Sequence, residues 1–151
     1  MAARSTTTTD WGIALVRLAV GLVMAVHGVG KLFGVGPSAT GLDQFAGFVG
    51  GLGVPLPTLA ALGVALVETV GGLFVLVGFL TRYAAALVAA DMLAATLLVH
   101  LPNGFAASDG GYEFTLTLFL VALALVLLGS GGLSVDRAVL GREPVPGAVR
   151  G

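Results

Sequence analysis

The chain has 151 residues, of which 57% are hydrophobic and 10% are charged, and its formal net charge is −1. A water-soluble domain of this length needs a more charged surface, so the composition indicates a membrane protein with room for one domain. The near-zero net charge gives no reason to expect a nucleic-acid partner. Because the chain has no cysteine, its own residues cannot supply a thiol–disulfide relay, an iron–sulfur cluster or a cysteine zinc site.

Four apolar segments are each long enough to cross a bilayer as a helix. Their predicted bounds are residues 11–33, 58–80, 82–101 and 112–129. All six prolines lie between or after these segments, where helices are expected to stop. The fold class is therefore all-α, a polytopic four-transmembrane-helix bundle. The predicted parts are a polar N-terminal tail (residues 1–10), the four-helix membrane domain (11–140) and a flexible C-terminal tail (141–151).

The first apolar segment is expected to be a retained span rather than a signal peptide. It is too long for a signal-peptide core, it contains Arg17, and no A-x-A cleavage site follows it. With four spans, both termini and the turn at Thr81 lie on one side of the membrane. That side collects most of the basic residues, namely Arg4, Arg82, Arg137, Arg142 and Arg150. The positive-inside rule then predicts cytoplasmic termini in a multi-pass protein of the cell inner (plasma) membrane.

The outer loop, residues 34–57, carries a helical pattern of its own. Leu42, Phe45, Val49 and Leu52 recur at helical spacing, and Asp43 lies off that face. This spacing predicts a short amphipathic helix in the outer interface or over the bundle. An apolar loop folded onto the bundle and a functional lid explain the pattern equally well.

Ionisable side chains inside apolar segments are the candidates for function. A charge at bilayer depth costs about 2.5–3.5 kcal/mol on insertion scales, so such residues face the protein interior or a wet cavity. Counting residues along each span sorts them by depth. An inner-to-middle set contains Arg17, Glu68 and Asp91, and an outer set contains His27, Lys31, His100 and Glu113.

The depths suggest which charges pair. Arg17 and Glu68 are predicted at nearly the same level, where they form either a structural ion pair or part of a polar cavity. Lys31 is predicted to couple weakly with Glu113 near the outer interface, because water screens both charges. Asp91 is predicted to be a protonated acid bonded to a neighbouring backbone group or hydroxyl, since burial disfavours its charged form.

The two histidines raise the question of haem, because imidazoles on different helices can be axial ligands. His100, however, is rotated by about 180° from Asp91 on an ideal helix, so the two are not expected to face the same core. Haem is therefore not expected, and no metal site or covalent cofactor is predicted.

Several short motifs occur in a characteristic order. They are Arg17-x3-Gly21, His27-Gly28, Lys31-Leu32, the stretch from Phe48 to Pro55, Glu68-x2-Gly71-Gly72, the stretch from Gly78 to Arg82, and the stretch from Gly129 to Asp136. From Trp11 to about Leu140, this order resembles the DoxX family of small bacterial membrane proteins. The resemblance implies a four-helix membrane bundle linked to quinone-dependent or oxidative-stress redox systems. It also implies soluble redox partners of the superoxide dismutase or sulfurtransferase type.

The leading functional hypothesis is a membrane subunit of a quinone-linked redox system. Glu68 is the candidate for catalytic proton exchange. The candidate ligand-binding residues are Arg17, His27, Lys31, Glu68 and Asp91, and the outer polar cluster is His100 and Glu113. The alternative is a non-catalytic membrane anchor or assembly factor whose C-terminal segment docks soluble redox enzymes. A small-molecule transporter is less favoured, because no repeat or broken helix is evident. Association into a homo-oligomer stays open.

Overall fold

Helices make up most of residues 6–141, which are the residues that the computed structural model describes. The helices are α1 (Thr8–Phe33), α2 (Leu42–Gly51), α3 (Pro57–Val77), α4 (Thr81–Asn103), α5 (Glu113–Leu128) and α6 (Val135–Leu140). Two of them contain a widened π-helical turn, Val67–Gly71 in α3 and Thr96–His100 in α4. The predicted N-terminal tail is shorter than expected, since α1 already begins at Thr8. Most of the predicted C-terminal tail lies outside the described residues.

The predicted helical membrane bundle is confirmed. Helices α1, α3 and α4 are long and apolar enough to cross a membrane, and α5 is a shorter apolar helix. At 1.5 Å per residue, the 16 residues of α5 span about 24 Å, compared with a hydrocarbon core of about 30 Å. Their shared core is built from small and medium side chains. It comprises Ile13, Val20, Met24, Val75, Ala84, Ala85, Val88, Ala89, Met92, Leu118, Ala122 and Leu125.

Helices α1 and α3 touch backbone to backbone. A Cβ atom added to Gly21 would lie 2.6 Å from the backbone nitrogen of Leu76, and one added to Gly28 would collide with the backbone of Thr69. Only glycine permits this approach, which is the usual way that membrane helices pack closely. The two contacts fix an antiparallel register in which the outer half of α1 lies against the first half of α3.

One end of the bundle is closed by the segment that follows α5. The backbone N–H of Gly132 donates to Oδ1 of Asp10 at 2.6 Å, so the start of α1 and this segment lie together. Asp136, which is fully buried, accepts a hydrogen bond from the backbone nitrogen of Leu80 at 3.0 Å. Leu80 has a positive φ of 46° in the tight turn between α3 and α4. The carboxylate therefore holds a strained turn in place.

The outer loop contains the predicted short helix, α2. Its residues Ala46 and Val49 are buried and pack with Ala61 of α3, while Phe48 and Leu52 remain 48% and 40% exposed. The backbone oxygen of Gly30 accepts from the amides of Thr40 and Gly41 (at 3.2 and 3.0 Å), which ties the start of the loop to the end of α1. Helix α2 thus lies over the outer half of the bundle.

The glycine contacts can be tested on a single helix. A Cβ on Gly72 of α3 would lie 2.6 Å from the backbone nitrogen of Ala25, whereas one on Gly63 meets nothing within 4 Å. We therefore expect Gly72→Ala to lower the free energy of unfolding by about 1–3 kcal/mol, as overpacking typically does. The matched control, Gly63→Ala, should be neutral or stabilising by up to about 1 kcal/mol, because alanine is the better helix former. Unfolding in mixed detergent–denaturant micelles measures both, and equal losses would contradict the packing argument.

The side of the membrane on which each end lies stays a prediction, and Arg4, Arg142 and Arg150 lie outside the described residues. The chain has no cysteine, so single-cysteine variants report orientation cleanly. Asp43→Cys in α2 should react with a membrane-impermeant maleimide added to intact spheroplasts. Val139→Cys, at a position that is 72% exposed in α6, should react only in inverted vesicles. The opposite pattern would place the termini outside the cell.

Candidate functional site

A cavity of about 820 Å³ lies beneath α2, between the outer halves of α1, α3 and α4. Small-molecule sites usually occupy about 300–1,000 Å³ and combine apolar walls with a few polar groups. Most of the lining is apolar, including Phe45, Phe48 and Leu98. The ionisable side chains of the wall are His27, Lys31, Glu68, Asp91 and His100. Five of the seven predicted site residues therefore meet at one cavity.

An ion pair lies in the wall of this cavity. Lys31 Nζ lies 2.5 Å from Glu68 Oε1, and the two side chains are 20% and 3% exposed. Lys31 Nζ also lies 4.6 Å from the ring centroid of Phe45, a cation–π contact that joins α1 to α2. The pair connects three elements, because Glu68 belongs to the π turn of α3.

Two carboxylate oxygens beside the pair lack partners. Within the described chain, neither Oε2 of Glu68 nor Oδ2 of Asp91 has a hydrogen-bond partner, although both atoms are buried. Asp91 is also close enough to Glu68 and Lys31 to interact with them electrostatically. Leaving a buried acceptor unsatisfied costs about 1–3 kcal/mol. Both oxygens are therefore acceptors that the described structure leaves unsatisfied, and they belong to residues that line the cavity.

A second cavity, of about 260 Å³, shares part of this wall. His27, Lys31, Glu68 and His100 line both cavities, and the second one continues to Thr115 and the loop around residue 110. The ion pair thus borders a large apolar space on the α2 side and a smaller space on the α5 side.

The outer polar cluster organises the loop before α5. His100 Nδ1 donates to the backbone oxygen of Gly110 at 2.7 Å, and Glu113 Oε1 accepts from the backbone nitrogen of Ala107 at 2.7 Å. Lys31 and Glu113 do not contact each other, because Lys31 turns toward Glu68 while Glu113 is bound to the loop, and their predicted weak coupling stays a prediction. His100 has two functions in the structure, since it supports the loop and also lines both cavities.

The prediction that His100 and Asp91 do not face the same core is wrong, because both residues line the large cavity. It assumed an ideal helix between them, whereas Thr96–His100 is a π turn. A π turn is wider than an α turn, so it rotates every later side chain relative to the ideal count. The hydroxyl of Thr96 donates to the backbone oxygen of Met92 at 2.7 Å within this distorted region.

The predicted Arg17–Glu68 pair does not form. Arg17 is buried and donates to backbone oxygens of Val75 (3.1 Å), Leu133 (2.8 Å) and Ser130. The glycine register explains the error, since Glu68 lies beside the Gly28 level of α1. Arg17 precedes Gly28 by 11 residues, which is about 16 Å along the helix.

Arg17 instead binds carbonyl groups at the C-terminal end of α3, where cations are favoured by the unpaired oxygens and the helix dipole. It lines neither cavity. Among residues 6–141, no group of three or more histidine, cysteine, aspartate or glutamate side chains is placed to hold a metal ion.

The outer loop contributes polar cavity residues that the sequence analysis missed. Ser38, Thr40 and Gln44 line the large cavity together with the aromatic residues of α2. The helical spacing of α2 predicted a helix there, but it did not say that the helix would cover Lys31 and Glu68. The one available signal was the aromatic pair Phe45 and Phe48, which is unusual in a glycine-rich loop.

Comparison with known proteins agrees with this architecture. The profile of the DoxX family matches residues 12–101. The chain belongs to the DoxX family. It is 34% identical to the Bacillus subtilis protein named "Putative oxidoreductase CatD", over 83% of this chain and 84% of that protein. It is 32% identical to the inner membrane protein YqjF of Escherichia coli, over 85% of this chain and 92% of that one.

A third relative is an uncharacterized membrane protein of Mycobacterium tuberculosis, 32% identical over 90% of this chain and 86% of the relative. No solved structure matches the chain significantly. Together with the apolar helices, these similarities show a multi-pass DoxX-type protein of the inner membrane.

The revised pairing predicts a specific pattern of coupling. Lys31→Met strands a buried carboxylate, so we expect it to lower the free energy of unfolding by about 3 kcal/mol. In a double-mutant cycle with Glu68→Gln, the two losses should differ from additivity by about 1 kcal/mol or more, as for residues in contact. Arg17→Gln combined with Glu68→Gln should be additive within about 0.5 kcal/mol, because these residues are far apart. Detergent-unfolding midpoints measure both cycles, and strong Arg17–Glu68 coupling would restore the earlier pairing.

Proposed function

We propose that this DoxX protein is the membrane subunit of a redox system and that its large cavity binds a quinone-type aromatic ring. The observation that carries the proposal is the combination of an apolar cavity of about 820 Å³ with a partly buried Lys31–Glu68 pair in its wall. The oxidoreductase name of the relative CatD supports the same class of function. A quinone needs such a site, since it is an apolar ring that carries two polar oxygens.

The residues of the cavity suit the polar end of this ligand. Lys31 has three N–H donors and spends one on Glu68, so others remain for a ring oxygen. His27 lines the same wall and adds a second candidate donor. Glu68 Oε2 and Asp91 Oδ2, which lack partners in the described chain, can accept hydrogen bonds from the hydroxyl groups of the reduced ligand. The described groups therefore suit an aromatic ring whose oxygen substituents lie within hydrogen-bonding distance of Glu68 and Asp91.

When bound, the quinone would supply a two-electron, two-proton couple. The residues of the chain would hold and move the protons. Glu68 is placed to exchange a proton at Oε2, because its other oxygen is fixed by Lys31. Asp91 is the nearby second acid, and the smaller cavity gives Glu68 and His100 a common border toward the outer loop. Electrons would come from a partner protein, for which the family resemblance suggests a soluble redox enzyme.

Arg17 is not part of this proposed site. Its guanidinium is occupied by backbone oxygens, so we assign it to the stability of the bundle. The alternative function, a non-catalytic anchor, would place the activity on the C-terminal segment. In that segment Ser134 caps α6 by accepting from the backbone of Arg137, and Asp136 is buried, so both are used within the fold. By contrast, the unpartnered carboxylate oxygens of the described chain, Glu68 Oε2 and Asp91 Oδ2, belong to residues that line the cavity.

The proposal is tested in two steps. Gentle purification followed by mass spectrometry should find a quinone in stoichiometric amount, whereas a soluble enzyme without quinone would favour the anchor. Glu68→Gln, reconstituted with the partner, should then lower quinone turnover by about 10²-fold or more, the usual effect of losing an acid–base group. The matched control is Asp43→Asn, an exposed acid on α2 outside the cavity lining. Unchanged turnover in a folded Glu68→Gln protein would refute the role of Glu68.

A further inference from the structure

We infer that the large cavity selects the reduced, hydroxyl-bearing form of its aromatic ligand, a hydroquinone, over the oxidised quinone. The inference rests on the proposed function, because it specifies the ligand of the same cavity. It follows from the balance of hydrogen-bond donors and acceptors in the cavity wall.

The acids provide unused acceptors. Glu68 is 2% exposed, and its Oε2 atom is buried without a partner among the described residues. Oδ2 of Asp91 is likewise buried without a partner among the described residues. Both residues line the cavity from neighbouring helices, and the carboxylate of Glu68, which is paired with Lys31, can only accept hydrogen bonds.

The histidine adds a third acceptor. Nδ1 of His100 lies 2.7 Å from the backbone oxygen of Gly110. A carbonyl oxygen cannot donate, so Nδ1 carries the proton of the neutral ring. Nε2 is then an acceptor. Lys31 gives one N–H to Glu68 and keeps two for a ligand oxygen, so the wall can both donate to and accept from one hydroxyl.

The two redox forms of the ligand can form different hydrogen bonds with the cavity wall. A hydroquinone hydroxyl can donate to Glu68 or Asp91 and accept from Lys31 at the same time. A quinone oxygen only accepts, so it leaves the acids unsatisfied and faces them with its own lone pairs. Leaving a buried group without its hydrogen bond costs about fivefold to 150-fold in affinity, and we expect a preference of about tenfold or more for the hydroquinone.

This selectivity would also shift the midpoint potential of the bound ligand. Tighter binding of the reduced form stabilises it and raises the midpoint potential of the bound couple. Tenfold selectivity corresponds to about 30 mV for a two-electron couple. The bound ligand would therefore be a better electron acceptor than the same molecule free in the membrane.

The experiment compares three probes on the full-length protein in nanodiscs, under anaerobic conditions. They are durohydroquinone, duroquinone and the dimethyl ether of durohydroquinone, whose fully substituted rings do not react with lysine. Durohydroquinone should bind at least about tenfold more tightly than duroquinone. The ether keeps the reduced ring without donors, so it should bind as weakly as the quinone. Equal affinity of all three would overturn the inference and leave the proposed function standing, whereas no binding by any probe would overturn both.

Variants identify the atoms responsible. Glu68→Gln and Asp91→Asn each replace a carboxylate by an amide, which brings an N–H donor into the wall. Each should reduce the preference for durohydroquinone by about tenfold or reverse it, chiefly by tighter binding of duroquinone. If Glu68→Gln fails to fold, Asp91→Asn provides an independent test of the same preference, because Asp91 is not part of the ion pair. The control, Asp43→Asn, should keep the wild-type preference. An unchanged preference in a folded Asp91→Asn protein would count against the inference.

Discussion

The contact between α1 and α3 determines which charged groups of these two helices can pair. Gly21 and Gly28 bring the backbone of α1 against α3, and no other residue type fits at these positions. Once this register is fixed, Glu68 lies beside the outer half of α1, within reach of Lys31 and far from Arg17. In a membrane, where lipid offers no hydrophobic force between helices, such small-residue packing supplies much of the association energy. The proposed binding site therefore depends on the same glycines as the fold.

The charges of the bundle are compensated in two different ways. At the closed end, Arg17 and Arg82 donate to backbone oxygens near the ends of α3 and α5. Asp136 accepts from the start of α4, so each charge matches the partial charge of a helix end. In the outer half, Glu68 and Asp91 each keep one buried oxygen without a partner in the described structure. The charges at the closed end therefore stabilise the fold, and the unpartnered oxygens of the outer half support the proposed binding site.

The sequence predicted the individual helices better than the register in which they pack against one another. The apolar spans, the outer helix α2 and the candidate residues followed from periodicity and composition, which are local properties. The Arg17–Glu68 pair failed because depth was counted from the ends of each span, although the glycine contacts had shifted α1 against α3. The opposite orientation of His100 and Asp91 failed because an ideal helix was assumed across a π turn. Register and π turns depend on contacts between helices, so one helix alone does not reveal them.

The two π turns point to the same region as the unpartnered acids. One of them, Val67–Gly71, contains Glu68, and the other, Thr96–His100, ends at His100. A π turn widens the backbone and gives up regular α-helical geometry, so it persists where the surrounding packing compensates for that loss. Both turns place a polar side chain in the wall shared by the two cavities. If both helices were regular, these two polar side chains would not lie in one wall, and the bundle would be more uniformly apolar. The distortions thus support the cavity as the part of the molecule that is shaped for a ligand.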